Sequence, residues 1–189
     1  LAGIVEMIKI KKGSELSQKE FLFVARESVR EFDDNKKPIE KELEELKDEM
    51  QSIFFFIKDK SKIMSFGLLK PVKIKYLKED YNILGIGNVI SIEKKKGYGT
   101  ILMKEMIKYV KKRRKTALGF TGSRVAKFYE KVGLKAEPKL KNRFFYDYGN
   151  SKTNREEKGW WGVYYEGKDK FITRVLKTKS IVHIPCMHW

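Results

Sequence analysis

Three features of the chain predict an α/β domain. Runs with a two-residue apolar period alternate along the chain with segments of 3.6-residue period. One such run, Tyr81 to Ile92, enters a turn holding two glycines that opens directly into a strong helical segment. No apolar run exceeds five residues, the length of Ile53 to Ile57, which falls far short of the ~20 that cross a bilayer, so the apolar residues belong to a core.

The elements follow in order. Alternation from Ile4 to Ile10 predicts a first strand. Ser17-Gln18-Lys19-Glu20 reads as a capping box, and Phe21, Val24, Ser28 and Phe32 then share one helical face. Pro38 suits the first turn of a second helix, whose apolar stripe is Ile39, Leu43, Leu46 and Met50 and whose outer face is mostly Glu. Ser52 to Lys58 and Ile63 to Lys78, split by Asp59-Lys60-Ser61-Lys62, predict a hairpin, with Pro71 at a bulge or an edge. Gly85 and Gly87 in the next strand permit close approach by a backbone or a ligand. After the turn, Ile101, Leu102, Met106, Tyr109 and Val110 keep a helical period, and Lys111 to Lys115 suit the negative end of its dipole.

A short strand at Thr116 to Thr121 leads to a helix capped by Ser123, carrying Val125, Phe128, Tyr129 and Val132, and stopped by Gly133. Strands at Arg143 to Tyr148, Trp160 to Glu166 and Ile181 to Ile184 complete the reading, with a short helix through Phe171, Ile172, Val175 and Leu176. One domain is expected over residues 1–189, with 150–189 a C-terminal extension that completes the sheet.

The net charge of +17 comes from 34 Lys but only 8 Arg, a skew that an AT-rich genome would also produce. Its distribution says more. Lys94 to Arg143 holds 17 basic and 3 acidic residues, whereas Glu31 to Glu49 holds 9 acidic and 4 basic. The N-terminal stretch shows no secretory pattern, and the single Cys186 agrees with a reducing compartment, so a cytoplasmic setting without a membrane partner is expected.

The chemistry centres on Lys94-Lys95-Lys96-Gly97-Tyr98-Gly99. A helix N-terminus offers unpaired amides and about half a positive charge, and glycines let a backbone fold closely around an anion. The turn is not a Walker loop, lacking Gly-Lys-Ser/Thr at the required spacing, and it lacks the third glycine and downstream acid of a dinucleotide fingerprint. About thirty residues later comes Ser123-x-x-Ala126-x-x-Tyr129-Glu130-Lys131-x-Gly133-Leu134. Together these two stretches resemble the motifs of the GNAT superfamily of acetyl-CoA-dependent N-acetyltransferases. The order of elements is similar over roughly residues 4 to 150, while the specific motifs span about 85 to 135.

The resemblance implies a mixed, mostly antiparallel twisted sheet flanked by helices, the GNAT-like acyl-CoA N-acyltransferase fold. It implies acetyl-CoA as acyl donor, with pantetheine along the backbone of Val89, Ile90 and Ser91. The pyrophosphate would lie on the amides of Lys95, Lys96, Gly97, Tyr98, Gly99 and Thr100. Lys94 stands where the family has Arg or Gln, losing planar bidentate geometry. Ser123 stands where it has Asn, leaving a shorter arm toward pantetheine. Tyr129 matches the tyrosine that protonates the departing CoA thiolate, a role open to a phenol because it stays protonated at neutral pH.

No general base is identified: Tyr81 to Ile92 contains no acid, which leaves Glu93, Glu79, Asp80 or Asp147 as candidates, or solvent alone. His183, Cys186 and His188 fall short of structural zinc spacing, and no metal is expected. Trp160, Trp161, Tyr164 and Tyr165 are expected to complete the sheet and to cover a pocket or a subunit contact. The expected acceptor is a small cationic or terminal amine, drawn by the acidic second helix. An RNA-linked or ribosomal amine, a non-catalytic basic RNA-binding module and an unreactive CoA-binding fold stay open as other readings, and so does a homodimer.

Overall fold

The computed structural model describes residues 7–32, 37–148, 151–154 and 160–186, with 147–148 and 151–154 as backbone only. Ile4 to Glu6, Asp33, Asp34 and His188, which entered the readings above, lie outside the described residues. The chain divides into two compact units, Leu1–Lys70 with Gly87–Glu105, and Pro71–Ile86 with Met106–Trp189.

In the first unit, strand β1 (Met7–Lys12) runs antiparallel to β2 (Ile53–Asp59), from Met7 opposite Lys58 to Lys12 opposite Ile53. Strand β2 pairs in turn with β3 (Lys62–Tyr76), the expected hairpin, turning at Lys60 with φ 54°. The run Ile53 to Ile57 is continuous rather than alternating because both faces of β2 are covered: Phe54, Phe55, Phe56 and Ile57 are all fully buried. Phe54 and Phe56 pack in one core with Phe66 and Leu68 of β3, Val24 and Ala25 of α1 (Gln18–Phe32) and Leu46 of α2 (Ile39–Leu46).

The capping box forms as the sequence predicts. The Glu20 carboxylate accepts from the Ser17 amide at 3.1 Å, and the Glu20 amide donates to the Ser17 hydroxyl at 3.3 Å. The outer ends of both helices differ from the expected stripes. Phe32 is 57% exposed at the end of α1, and Met50 lies beyond the end of α2 and is also exposed. A buried polar knot closes the region after α2. The carboxylate of Glu49 accepts from both the Lys70 ammonium and the Ser52 hydroxyl, and all three residues are buried. Gly13 donates to the Ser52 carbonyl at 2.8 Å, and a Cβ there would meet the Glu49 carbonyl oxygen at 2.0 Å, so only glycine fits.

Strand β4 (Glu79–Ser91) and helix α3 (Tyr98–Arg113) each contribute residues to both units; within the second unit, β4 pairs in parallel with β5 (Ala117–Gly122) at Leu84 and Gly85. Helix α4 (Ser123–Lys131) and the short β6 (Lys135–Glu137) follow. Next come β7 (Phe144–Tyr148), β8 (Ser151–Asn154), β9 (Trp160–Tyr165), α5 (Phe171–Lys177) and β10 (Val182–Ile184). The aromatic-rich β9 inserts between β5 and β6, antiparallel to both, and Gly162 lets it approach Leu140, whose Cβ would lie 2.6 Å from an added methyl. Strands β10, β7 and β8 form a second, smaller sheet. Phe144, Phe171, Ile172, Val175, Val182 and Ile184 build the core beneath it.

The hydrogen-bonded order of the larger sheet is β1-β2-β3-β4-β5-β9-β6. It is mixed and mostly antiparallel, flanked by helices, as expected. Among the described residues no helix is long and apolar enough to cross a membrane.

Burial drives the Glu20 carboxyl up, but the Lys11 ammonium and the amide and hydroxyl of Ser17 outweigh it and hold it down at about 2. A carboxyl depressed in the folded state contributes stability that is complete above its unfolded pKa and is lost as pH falls through about 2. Glu20→Gln should therefore destabilise the protein at pH 7 by up to about 3 kcal/mol, taking about 1.4 kcal/mol per pKa unit. Urea unfolding at pH 7 and at acid pH should show that gap narrowing below pH 4.5. A gap independent of pH would refute the electrostatic account.

Candidate functional site

The last stretch of β4 carries the first irregularity. Asn88 has φ 47°, a left-handed conformation inside a strand, which breaks the regular pleat there. Beyond it the strand is re-anchored on β3: Ser65 donates to the Ile90 carbonyl at 2.8 Å, and Ile92 donates to the Met64 carbonyl at 2.9 Å. Ile90 is fully buried, whereas Val89 and Ser91 are half-buried. The Ser91 hydroxyl donates to the Glu93 carbonyl at 3.0 Å. Sequence reasoning singled out Gly85 and Gly87 and missed Asn88. The available signal was its residue type, since Asn enters the left-handed region several-fold more often than most residues.

The turn into α3 is left-handed twice more, at Lys95 with φ 61° and Gly97 with φ 87°. Thr100 and Ile101 both donate to the Gly97 carbonyl, at 3.0 and 3.1 Å. These are the first closed turns of the helix, so the amides of Tyr98 and Gly99 precede them and have no intrahelical acceptor. Left-handed residues alternating with others aim successive N–H groups into one concavity, which suits an anion. Such a concavity at the positive end of a helix dipole is a general kind of anion site.

Side chains contribute less than the sequence implied. Lys94 is tied to Glu31 of α1. Tyr98 is buried and its hydroxyl donates to Asp59 at 3.4 Å, so its ring anchors the turn. Burial, with Asp59 and Glu93 adding to it, pushes the Tyr98 phenol up. Lys95 and Lys96 are exposed.

Ser123 and Tyr129 belong to the second unit, on α4. Gly122, not Ser123, is the N-cap, with φ −62° and ψ 145°. Ser123 is the first helical residue and makes no capping bond, which corrects the expected cap. The buried face of α4 also differs. Ala126 is fully buried, whereas Val125 is exposed. Tyr129 is half-buried, its ring edge-on to Phe128 at 5.2 Å, and its carbonyl accepts from the Leu134 amide at 3.1 Å. Gly133 ends the segment with φ 103°. Desolvation alone pushes the Tyr129 phenol up to about 12. Among the described residues, nothing hydrogen-bonds that hydroxyl.

Of the proposed bases, Glu79 is paired with Arg174 and accepts from the Tyr81 hydroxyl at 3.0 Å. Those hydrogen bonds, Arg174 first, hold its carboxyl below the usual range, which makes it a poor proton acceptor. Glu93 and Asp80 are exposed, and the side chain of Asp147 lies outside the described residues. Among the described residues, no group of three His, Cys, Asp or Glu could hold a metal ion.

No protein-family model matches the sequence, and no curated protein matches it. Solved structures do match in fold. A GNAT-family N-acetyltransferase of Escherichia coli in complex with CoA superposes with a TM-score of 0.58 at 9% identity, covering 95% of this chain and 89% of that one. A Campylobacter jejuni N-acetyltransferase in complex with acetyl coenzyme A gives 0.50 at 19% identity, over 85% and 99%. A conserved Enterococcus faecalis protein gives 0.56 at 19% identity over 70% of this chain, which spans only 33% of that protein's length. These superpositions show the fold alone: the chain has the fold of the GNAT N-acetyltransferases.

Proposed function

We propose that this protein transfers the acetyl group of acetyl-CoA to a primary amine by direct attack. The observation that carries the reading is the turn from Lys94 to Gly99, whose unpaired amides at Tyr98 and Gly99 open α3 in this fold. The CoA and acetyl-CoA bound in two structures of similar fold support the same ligand here. Acetyl-CoA supplies a thioester whose carbonyl carbon accepts the amine nitrogen as the C–S bond breaks. The amides of the turn hold the pyrophosphate, and the backbone around Val89 to Ser91 aligns the pantetheine arm. The lone Cys186 suits a cytoplasmic setting.

Tyr129 is the proposed donor to the departing sulfur. A thiol of ordinary pKa near 8.5 is a stronger acid than a phenol at about 12, so complete transfer is uphill by about 5 kcal/mol. The hydroxyl therefore acts chiefly as a hydrogen-bond donor to developing negative charge, and solvent finally protonates the released thiolate. The second proton of the attacking amine passes to water, so no dedicated carboxylate is required.

The acceptor is proposed to be a small or terminal amine. The acidic region offers it fewer carboxylates than the sequence count suggested. Lys37 neutralises Glu42 and Glu45, Lys94 takes Glu31, and Glu49 is buried against Lys70. Among the described residues Glu40, Glu44 and Asp48 remain to attract a cation.

Acetyl-CoA at ~100 times its dissociation constant should stabilise the protein by about 2.7 kcal/mol. Gly97 requires a left-handed φ, so a side chain there would disturb the backbone itself. Gly99 does not, and Gly99→Val is the cleaner variant: it should fold normally yet lose the ligand-dependent rise in melting temperature. Retained stabilisation in that variant would remove the turn from the site.

Tyr129→Phe should leave folding and acetyl-CoA affinity nearly unchanged and lower turnover by roughly 10²-fold, the low end for a positioned donor. The pH profile supplies a second check. Burial keeps the phenol protonated to about 12, so wild-type turnover should rise as the acceptor ammonium deprotonates, with no alkaline fall assignable to Tyr129 below about 12. Normal turnover in Tyr129→Phe would sink its role.

A further inference from the structure

The second unit contains a basic surface assembled from two segments distant in sequence. Helix α3 ends in Lys111, Lys112 and Arg113, and the chain continues through Arg114 and Lys115 to Thr116 at the head of β5. The loop between β9 and α5 docks directly on this stretch. Lys168 donates its amide to the Arg114 carbonyl at 3.1 Å, and Gly167 donates to the buried Thr116 hydroxyl at 2.9 Å. A Cβ on Gly167 would lie 2.3 Å from the Thr116 nitrogen, so the two segments are locked together. Asp169, the acid of the loop, is turned onto Thr116 and the Phe171 amide. Glu166, beside it, accepts from the amides of Ile172 and Thr173. The loop carboxylates face inward while Lys168 and Lys170 stay exposed.

More cation gathers here than the fold needs. The C-terminal end of a helix carries about half a negative charge, which one or two cations complement. Lys111, Lys112, Arg113 and Arg114 are all exposed, and among the described residues no carboxylate pairs with Lys111, Lys112, Arg114 or Lys168. Two half-buried aromatics lie among the charges. The Lys111 ammonium is 5.9 Å from the centre of the Tyr165 ring, and the Arg113 guanidinium is 5.1 Å from that of Tyr109. The stretch Lys111 to Lys115 holds no aromatic residue of its own; β9 supplies Tyr165 from about fifty residues further along the chain.

We infer that this surface binds the phosphodiester backbone of single-stranded nucleic acid. The cations spread along the last turn of a helix and a neighbouring loop instead of converging on one point, which matches a chain of phosphates better than a single phosphate. Aromatic rings among the cations are what base stacking requires. A membrane surface fits less well. The large exposed hydrophobics of this unit, Leu77, Val125, Leu176 and Ile181, are none of them on these two segments, so no apolar side chain is placed to insert. The inference does not depend on the acetyl-transfer reading, because it uses none of the residues proposed to bind acetyl-CoA or to act on it.

Fluorescence anisotropy with a labelled single-stranded RNA and the matching DNA, across about 50 to 200 mM salt, tests it. Both should bind, with affinity falling steeply as salt rises. The variant Lys111→Gln, Lys112→Gln, Arg114→Gln, Lys168→Gln should bind at least about tenfold more weakly at low salt. Its log–log salt slope should be shallower by roughly 3, about 0.7 for each phosphate that is no longer neutralised. A control that removes the same charge elsewhere, Lys60→Gln, Lys62→Gln, Lys73→Gln, Lys75→Gln, should keep most of the affinity and slope. Melting temperatures of both variants should match the wild type. Three results overturn the inference: no salt-dependent binding by the wild type, equal weakening in the control, or binding of phosphatidylserine vesicles with none of either oligonucleotide.

Discussion

Three left-handed backbone positions between Asn88 and Gly97 are the constraint around which the first unit is organised. Gly97 adopts its φ freely, but Lys95 is strained by roughly 1–2 kcal/mol, and Asn88 by somewhat less because its type tolerates the region. Such conformations persist only where surrounding contacts over-determine them. Those contacts are present on both sides. Ile90 is fixed in the core and by Ser65, Ile92 by Met64, and Tyr98 by burial and by Asp59. The side chains thus hold the turn, and the amides of Tyr98 and Gly99 have no intrahelical acceptor. This division of labour explains why Tyr98, despite its place in the motif, does its work facing inward.

Charge in the first unit is largely internal. Glu20 is held by Lys11, Glu31 by Lys94, Glu42 and Glu45 by Lys37, and Glu49 by Lys70. The Glu49–Lys70 pair is the most buried of these, and its value is geometric. Desolvation offsets much of the attraction in a buried pair, but breaking one partner strands the other charge. With Ser52 satisfied by the same carboxylate, the knot fixes how the segment after α2 meets β3 and leaves Gly13 no room for a side chain. A sequence-level count of nine acids from Glu31 to Glu49 overstated the negative field because it could not see these pairings.

What the sequence made legible was local. The capping box at Ser17 and Glu20 involves residues three apart, and the fully buried β2 follows from an unbroken run of five apolar residues. The glycine turn was readable for the same reason. Errors came where elements ended. Phe32 and Met50 continue a helical period on paper, but they sit at or beyond a helix end and face solvent. Helix α4 begins one residue earlier than a Ser123 cap implies, and its packed face is centred on Ala126, which leaves Val125 exposed. Strand β6, three residues long, carries too little pattern to announce itself. The insertion of β9 between β5 and β6 is a long-range pairing that aromatic alternation suggests but cannot order.

The two anion sites proposed at the start and at the end of the helix α3 segment, residues 94–100 and 111–115, rest on different physics. At its N-terminus the attraction comes from backbone amides whose direction is set by φ at Lys95 and Gly97, so it is rigid, short-ranged and selective for an anion that fits the concavity. At its C-terminus the dipole has the opposite sign and would repel an anion, yet exposed Lys and Arg side chains reverse the local field. Those charges sit on flexible stems in water, where the Debye length near 0.15 M salt is about 8 Å, so their reach is short and their strength depends on ionic conditions. Geometry governs the first end and screening governs the second. The two proposals therefore differ in their expected salt dependence, a contrast set by whether backbone or side chain supplies the positive charge.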